Sequence, residues 1–503
     1  MKMVFRLTLL SVTFLVPAAA SCDSLAALPF SDAKITLAQV VAAGEFVGPG
    51  APAASAQYRD LPAFCRVAAT LTPTSDSDIK IEVWLPASSW NGKFQAVGNG
   101  GWAGSISYAA MAQALRRGYA TASTDTGHTG SSASFALGHH EKLIDFAYRS
   151  VHEMTVKAKS IVVAFYGGAA KFNYWNGCST GGRQGLKEAQ MYPADFDGII
   201  AGAPANYRTH LQIGHIWTAS ATLKNPASFI PPSTYPIIHK AVLEACDTLD
   251  GVKDGVLENP LGCRFDLKSI QCHGDDTSAC LTAPQVEAAR KIYAGATHPR
   301  TGLRIWPGLM PGSELGWAAT AGGPEPIGLA MEGFKWVVFE DPNWDWKTFD
   351  FDADTERTDK LEYGMNAIDP NLKALMEHGG KLVLYHGWSD PLISPQNTIN
   401  YYKSVSDTMG GPEKTQEFAR LFMVPGMGHC GGGEGPNSFD TVAAIEQWVE
   451  KGKAPNRIIA SRQSNGATER THPLCPYPLV AVWNATGSTD SAANFACAAE
   501  PRR

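Results

Sequence analysis

Residues 176–186 read NGCSTGGRQGL, and within them Gly177-Cys178-Ser179-Thr180-Gly181 is the chain's single match to the pattern G-x-S-x-G. The run follows an apolar stretch, FNYW (172–175), and precedes RQGLKEAQMY (183–192), which reads as a helix. That context matters because a serine hydroxyl is a poor nucleophile until a base takes its proton. The oxyanion it then creates needs hydrogen-bond donors. A sharp strand-to-helix turn supplies both exposure and one donor. Small residues two places to either side let the chain crowd, Ser179 projects from the turn, and the N–H of Thr180 points at the oxyanion.

Such a serine needs a base and an orienting acid, and on α/β-hydrolases the chain order is Ser, then Asp or Glu, then His. KLVLYHGWS (381–389) reads as a buried strand that stops at Asp390, and RLFMVPGMG (420–428) as another that stops at His429. Taken singly, Asp390 before Pro391 is also a turn or helix-capping residue, and His429 a loop histidine. Together with Ser179, in the right order and at strand ends, they form a candidate triad. His386 lies inside its strand run, while Asp125 and His128 precede the serine, so all three are set aside. The second oxyanion donor is expected from the glycine-rich VGNGGWAG (97–104), where Asn99 or Gly100 offers its N–H; the residues leave both open, along with a plain tight turn.

Cysteines flank the two reactive positions: Cys178 precedes Ser179, and Cys430 follows His429. Bridged cysteines hold their Cα atoms about 5.5 Å apart, which suits neighbouring Ser and His side chains in contact. A Cys178–Cys430 disulfide would therefore staple nucleophile to base. The chain-entropy model gives a loop of this length roughly 5 kcal/mol as an upper figure.

Outward from this centre, DIKIEVWL (78–85) alternates like a half-buried strand, and NGKFQAVGNGG, YATASTDTGH and FDGIIAGAPA each read as a strand running into a loop. Strands alternating with helices predict a largely parallel sheet covered on both faces. From 206 to 365 that rhythm stops. The segment is rich in Pro, Gly and Trp (Trp306, Trp317, Trp336, Trp344, Trp346), holds four cysteines and reads as a lid inserted over the sheet. The rhythm resumes from 366 and ends in the amphipathic TVAAIEQWVEKG (441–452). The organisation is thus a leader (1–20), a first sheet segment (21–205), the lid (206–365) and a second sheet segment (366–503).

The 503 residues, 44% hydrophobic and 18% charged, describe a globular protein with a sizeable core. A net charge of −6 without a Lys/Arg run excludes a nucleic-acid partner. MKMVFRLTLLSVTFLVPAAASC has the basic, apolar and small-residue order of a cleaved export signal, which predicts a secreted or periplasmic protein. Its apolar core is short for a membrane span, and no other stretch approaches ~20 apolar residues. Ten cysteines form an even set, so disulfides are expected. Parity favours keeping Cys22 for a bridge, the close pairs 246/263 and 272/280 invite local ones, and the lack of C-x-x-C argues against zinc.

GCSTGG, HGWSD and PGMGHCGGG together resemble the tannase and feruloyl esterase family, from about residue 60 to the end of the chain. The resemblance implies an α/β-hydrolase with a large inserted lid, with Ser179 as nucleophile, Asp390 as orienting acid and His429 as base. It also implies the pairings Cys22–Cys65, Cys178–Cys430, Cys246–Cys263, Cys272–Cys280 and Cys475–Cys497. The family carries a structural calcium, and CDTLDGVKDGVLENP (246–260) resembles its loop. Asp247, Asp250 and Asp254 would supply carboxylates, and Val252 and Val256 carbonyl oxygens, a hard oxygen shell. By spacing alone these Asp-Gly pairs are equally ordinary turns.

The expected activity is hydrolysis of aromatic acid esters, hydroxycinnamoyl or galloyl, through an acyl-enzyme, with a Trp-rich lid suited to an aromatic acyl group. Most of those aromatics are nonetheless expected in the lid's own core. Hydrolysis of mono(2-hydroxyethyl) terephthalate is the alternative within the family. It is disfavoured because 320–340 offers Lys335 and no Arg to clamp a second carboxylate. A catalytically dead, calcium-stabilised binding protein and a peptidase are the readings from other classes. Oligomeric state is left open.

Overall fold

Alternating and continuous apolar runs become the strands of one nine-stranded sheet in the computed structural model, which describes residues 21–50, 55–274, 276, 278–361 and 363–500. The leader expected at 1–20 lies outside the described residues. In chain order the strands are β1 (Ala33–Val41), β2 (Phe64–Leu71), β3 (Ile79–Pro86), β4 (Lys93–Val97) and β5 (Ala120–Thr124), then β6 (Phe172–Cys178), β7 (Gly198–Gly202), β8 (Lys381–Gly387) and β9 (Ala419–Val424). Their spatial order is β1-β2-β3-β5-β4-β6-β7-β8-β9. β4 to β9 run parallel, as the strand–helix rhythm implies. β5 and β7 are buried along their whole length, because helices cover both faces.

The sheet is largely parallel, as expected, but mixed, with an antiparallel flank that the sequence reading lacked. β1, β2 and β3 pair antiparallel, and β3 runs antiparallel to β5. The short link from Leu71 to Ile79 permits only the antiparallel pairing of β2 with β3, since a parallel return needs a crossover of a dozen residues or more. The alternation of β3 also breaks at Glu82, which is buried. Arg66 meets its carboxylate through Nε and Nη2 at 2.9 and 2.5 Å, and Trp84 Nε1 and Tyr108 Oη donate to it at 2.9 and 2.8 Å. A charge is tolerated inside because every oxygen is paired.

Adjacent registers align the C-terminal ends of the parallel strands. Cys178 pairs with Gly202, Gly202 with Tyr385, and Gly387 with Val424. The loops after β6, β8 and β9 therefore leave the same edge of the sheet, where open α/β sheets bind ligands.

Between β7 and β8 no strand forms among the described residues. Helices at Arg208–Leu223, Tyr235–Cys246 and Ala283–Ala294 dominate, with two apolar clusters of their own. One gathers Ile238, Val242, Leu281 and Ile292 around Trp317, and the other packs Trp306, Phe334, Trp344 and Trp346 together. Those four tryptophans are core; only Trp336 of the five is half-buried. Two-stranded sheets at Ile458–Ser464/Ala467–Leu474 and Val480–Trp483/Phe495–Ala498 close the chain.

Trp175 ties β6 to the helix behind it: it is fully buried, and its Nε1 donates to Gly181 O at 3.0 Å. Trp175→Ala is expected to cost about 3–5 kcal/mol, measured as a lower urea midpoint by circular dichroism.

Candidate active site

The β6 strand passes into the Thr180–Met191 helix through a turn at Ser179, whose φ and ψ are 63° and −120°. This is a strained backbone for any residue but glycine, and it leaves the side chain part-exposed. Two bonds brace it: the Ser179 N–H donates to Gly202 O at 2.9 Å, and the Ala205 N–H donates to Ser179 O at 3.1 Å. The flanking glycines are sterically required. A Cβ on Gly177 would sit 2.6 Å from the carbonyl of Gly181, and one on Gly98 would sit 2.5 Å from the Gly181 Cα.

Asp390 follows β8 and is fully buried. Its Oδ1 accepts the N–H groups of Leu392 and Ile393 at 2.8 and 3.0 Å, and its Oδ2 lies 2.7 Å from His429 Nδ1 and 3.1 Å from His386 Nε2. Burial would raise its pKa, but the charge of His429 and the bonds from His386 and His429 outweigh that and hold the carboxyl well below its usual range. His429 feels the opposite. Burial works against its charged form, Asp390 favours it, and the net pKa is raised. The Asp390–His429 bond fixes the ring so that Nε2 is the free nitrogen.

Of the candidate oxyanion donors, Thr180 is the first helical residue, so its N–H has no acceptor within the helix. Asn99 is corrected: its N–H already donates to Gln184 Oε1 at 3.0 Å, and its side chain is consumed by Ser105 O, Thr124 O and Gln184. It builds the loop rather than facing a substrate. Gly100, next along, borders open space. The residues set aside have structural partners. Asp125 accepts N–H groups from Lys80 and Gly127, and His128 Nε2 lies 2.7 Å from Trp102 O while its ring stacks on Phe135.

Five disulfides pair all ten cysteines: 22–65, 178–430, 246–263, 272–280 and 475–497. Cys178–Cys430 spans 252 residues with its Cα atoms 6.0 Å apart, so Ser179 and His429 leave from either side of one covalent link. A cavity of about 280 Å³ opens beside His429, walled by Ser389, Pro391 and, from the segment between β7 and β8, Leu243, Val256 and Leu257.

A profile described as tannase and feruloyl esterase matches residues 65–498. The chain belongs to the tannase and feruloyl esterase family. It is 39% identical to an uncharacterised esterase of Xanthomonas campestris pv. campestris, over 96% of this chain and 92% of that one. A probable feruloyl esterase B-1 of Aspergillus flavus is 35% identical over 84% of each chain. The crystal structure of feruloyl esterase B from Aspergillus oryzae superposes with a TM-score of 0.90 at 30% identity, covering 95% of this chain and 99% of that one. This membership makes the protein a serine carboxylic ester hydrolase with the α/β-hydrolase fold.

Two features escape sequence reading. His386, set aside as a strand residue, reaches Asp390 because the strand ends one residue later and the chain folds back. The spacing of four was the available signal. Separately, His152, Glu188 and Asp195 bring ligating atoms within 4.8 Å of one another, a buried group with the spacing of metal ligands. It draws on three distant stretches, so no motif announces it. Asp247, Asp250 and Asp254 do not gather their side-chain oxygens to that spacing.

Thiol titration of the native protein should find no free cysteine. Graded reductant is expected to abolish ester turnover before far-ultraviolet circular dichroism changes, because the link at 178–430 holds the site and the sheet core does not depend on it. Full activity with 178 and 430 as free thiols would contradict this.

Proposed function

We propose that this chain hydrolyses esters of aromatic acids, hydroxycinnamoyl or galloyl, through an acyl-enzyme on Ser179. His429 takes the serine proton as Ser179 attacks the ester carbonyl and returns it to the leaving alcohol. The same ring then activates water to release the acid. Asp390 orients the ring and offsets its charge, and the N–H groups of Thr180 and Gly100 receive the oxyanion. One observation carries the reading: the 2.7 Å bond from His429 to a buried Asp390, beside a disulfide that ties Cys430 to the residue before Ser179. The names of the relatives support the aromatic acyl class. The segment 206–365 acts as the lid, and the apolar cavity wall beside His429 suits a ring. Glu434, on the same wall and bonded to His239 at 2.7 Å, offers a carboxylate for a phenolic hydroxyl, while both nitrogens of His239 are taken by Glu314 and Glu434.

The loop at 247–256 suits a structural calcium by its donors. Asp247, Asp250 and Asp254 offer oxygen only, with the carbonyls of Val252 and Val256. Asp250 is pushed up to about 7 by burial and by the carboxylates of Asp254, Glu258 and Asp247, a crowding of charge that a divalent cation offsets. Arg470 supplies part of that offset, meeting Asp254 at 3.0 Å. The ion's contribution is to stability, not chemistry. The disulfides support a secreted or periplasmic location.

Turnover of methyl ferulate and methyl gallate, but not of a peptide anilide, is expected from the wild type and none from Ser179→Ala; anilide cleavage alone would overturn the reading. Because His429 must be neutral to act and its pKa is raised, kcat/KM should be lost as pH falls, with the inflection of that acid limb above about pH 6.5. Asp390→Asn should lower kcat by about 10⁴-fold, read in initial rates. Chelation should lower Tm by several degrees, and calcium rather than magnesium should restore it. An unchanged Tm would remove the ion from the account.

A further inference from the structure

Arg208 opens the first helix after β7 and is entirely buried, yet among the described residues no carboxylate pairs with it. Among the described residues the charged group bearing on it is Arg183, another cation. Its Nη1 donates to Thr180 Oγ1 at 3.1 Å and its Nη2 to Gly101 O at 3.3 Å, while Thr180 Oγ1 itself donates to Gly101 O at 2.9 Å. Nε has no partner. The guanidinium lies over the Trp102 ring at 4.4 Å and near that of Phe146 at 5.7 Å. An arginine stays protonated in a protein, and a buried cation without an anion is costly. A fold that retains one has a place for negative charge nearby.

That place is the oxyanion site. Thr180 and the Gly100–Gly101 loop are the two halves that receive the developing negative charge, and Arg208 joins them from behind. We infer that Arg208 is a positioning residue for the oxyanion hole. Its fork locks Thr180 to Gly101, and its unpaired charge favours the tetrahedral anion over the neutral ester. The inference rests on the triad reading above. Because the charge acts through one intervening residue in a water-excluded setting, the effect belongs to the transition state rather than to substrate binding.

Two variants test this on the full chain, with methyl ferulate as substrate. Arg208→Gln is expected to lower kcat by about 10- to 100-fold with KM changed less than about threefold. An arylboronic acid, whose boron takes the Ser179 oxygen lone pair while the serine proton passes to His429, forms a tetrahedral anion. Its affinity should fall by the same factor as kcat. The matching neutral primary amide should bind as before. Arg208→Lys keeps the charge and should recover most of the boronate affinity. Equal losses for boronate and amide, or a folded Gln variant within about twofold of wild-type kcat, would overturn the inference. If neither variant folds, Thr180→Val removes the hydroxyl that Arg208 holds, and unchanged boronate affinity there overturns it too. Turnover retained by Ser179→Ala would instead sink the underlying triad reading.

Discussion

The covalent link between Cys178 and Cys430 is the constraint on which the site depends, because the sheet alone does not bring its ends together. β6 and β9 are separated by β7 and β8. Three strand spacings of about 4.8 Å place them roughly 14 Å apart. Yet the Cα atoms of Cys178 and Cys430 lie 6.0 Å apart. The loop after β9 must therefore turn back across the ends of two strands. It does so in contact with β8: a Cβ on Gly387 would lie 2.2 Å from Met427 O. Cys430 has φ of 60°, and Gly426, Gly432 and Gly433 are also left-handed. A loop so rich in unfavourable or glycine-only backbone needs an anchor, and the disulfide provides one beside the histidine.

The same geometry explains the charge distribution. Asp390 would be an expensive buried anion were its oxygens not occupied by two backbone N–H groups, His386 and His429. Thr398 Oγ1, 2.7 Å from His386 Nδ1, keeps that second histidine turned toward the carboxylate. The linkage sign follows. With its folded pKa depressed, Asp390 stabilises the fold above the ordinary carboxylate pKa, and that contribution is lost as pH falls through the folded value. The raised pKa of His429 is the other face of the same pair.

The Ser179 turn, the Asp390–His429 pair and the strands that deliver them were legible because their logic is local. An apolar run, a turn of small residues and a polar residue at the strand's end can each be read without knowing neighbours. The five parallel pairings around β4 to β9 follow from that rhythm. What escaped is non-local. The antiparallel flank joins β1 to β2 across the long stretch 42–63 and β3 to the non-consecutive β5, and Glu82 breaks its strand's alternation only because Arg66 and Tyr108 reach it from other elements. Asn99 looked like an oxyanion donor by position, and only the approach of Gln184 from the nucleophile's own helix takes its N–H away. The tryptophans of 206–365 could not be apportioned between core and substrate by composition, since packing alone decides it.

Placed together, these groups give the nucleophile an oriented electrostatic setting. The buried anion Asp390 bonds His429, which the Cys178–Cys430 link ties to the residue before Ser179, and the buried cation Arg208 bonds Thr180, the residue after Ser179, and Gly101. On the proposed mechanism, serine attack creates charge in the matching sense. A proton moves toward the Asp390 side, leaving imidazolium there, while negative charge grows on the substrate oxygen at the Arg208 side. In water, solvent dipoles would have to reorganise to stabilise that separation. Here the fixed charges are already oriented, and burial prevents water from screening them. Asp390 is already paired in the resting fold, whereas Arg208 has no counter-ion among the described residues, and the Cys178–Cys430 disulfide, the braced turn at Ser179 and the first helix after β7 hold the two in place.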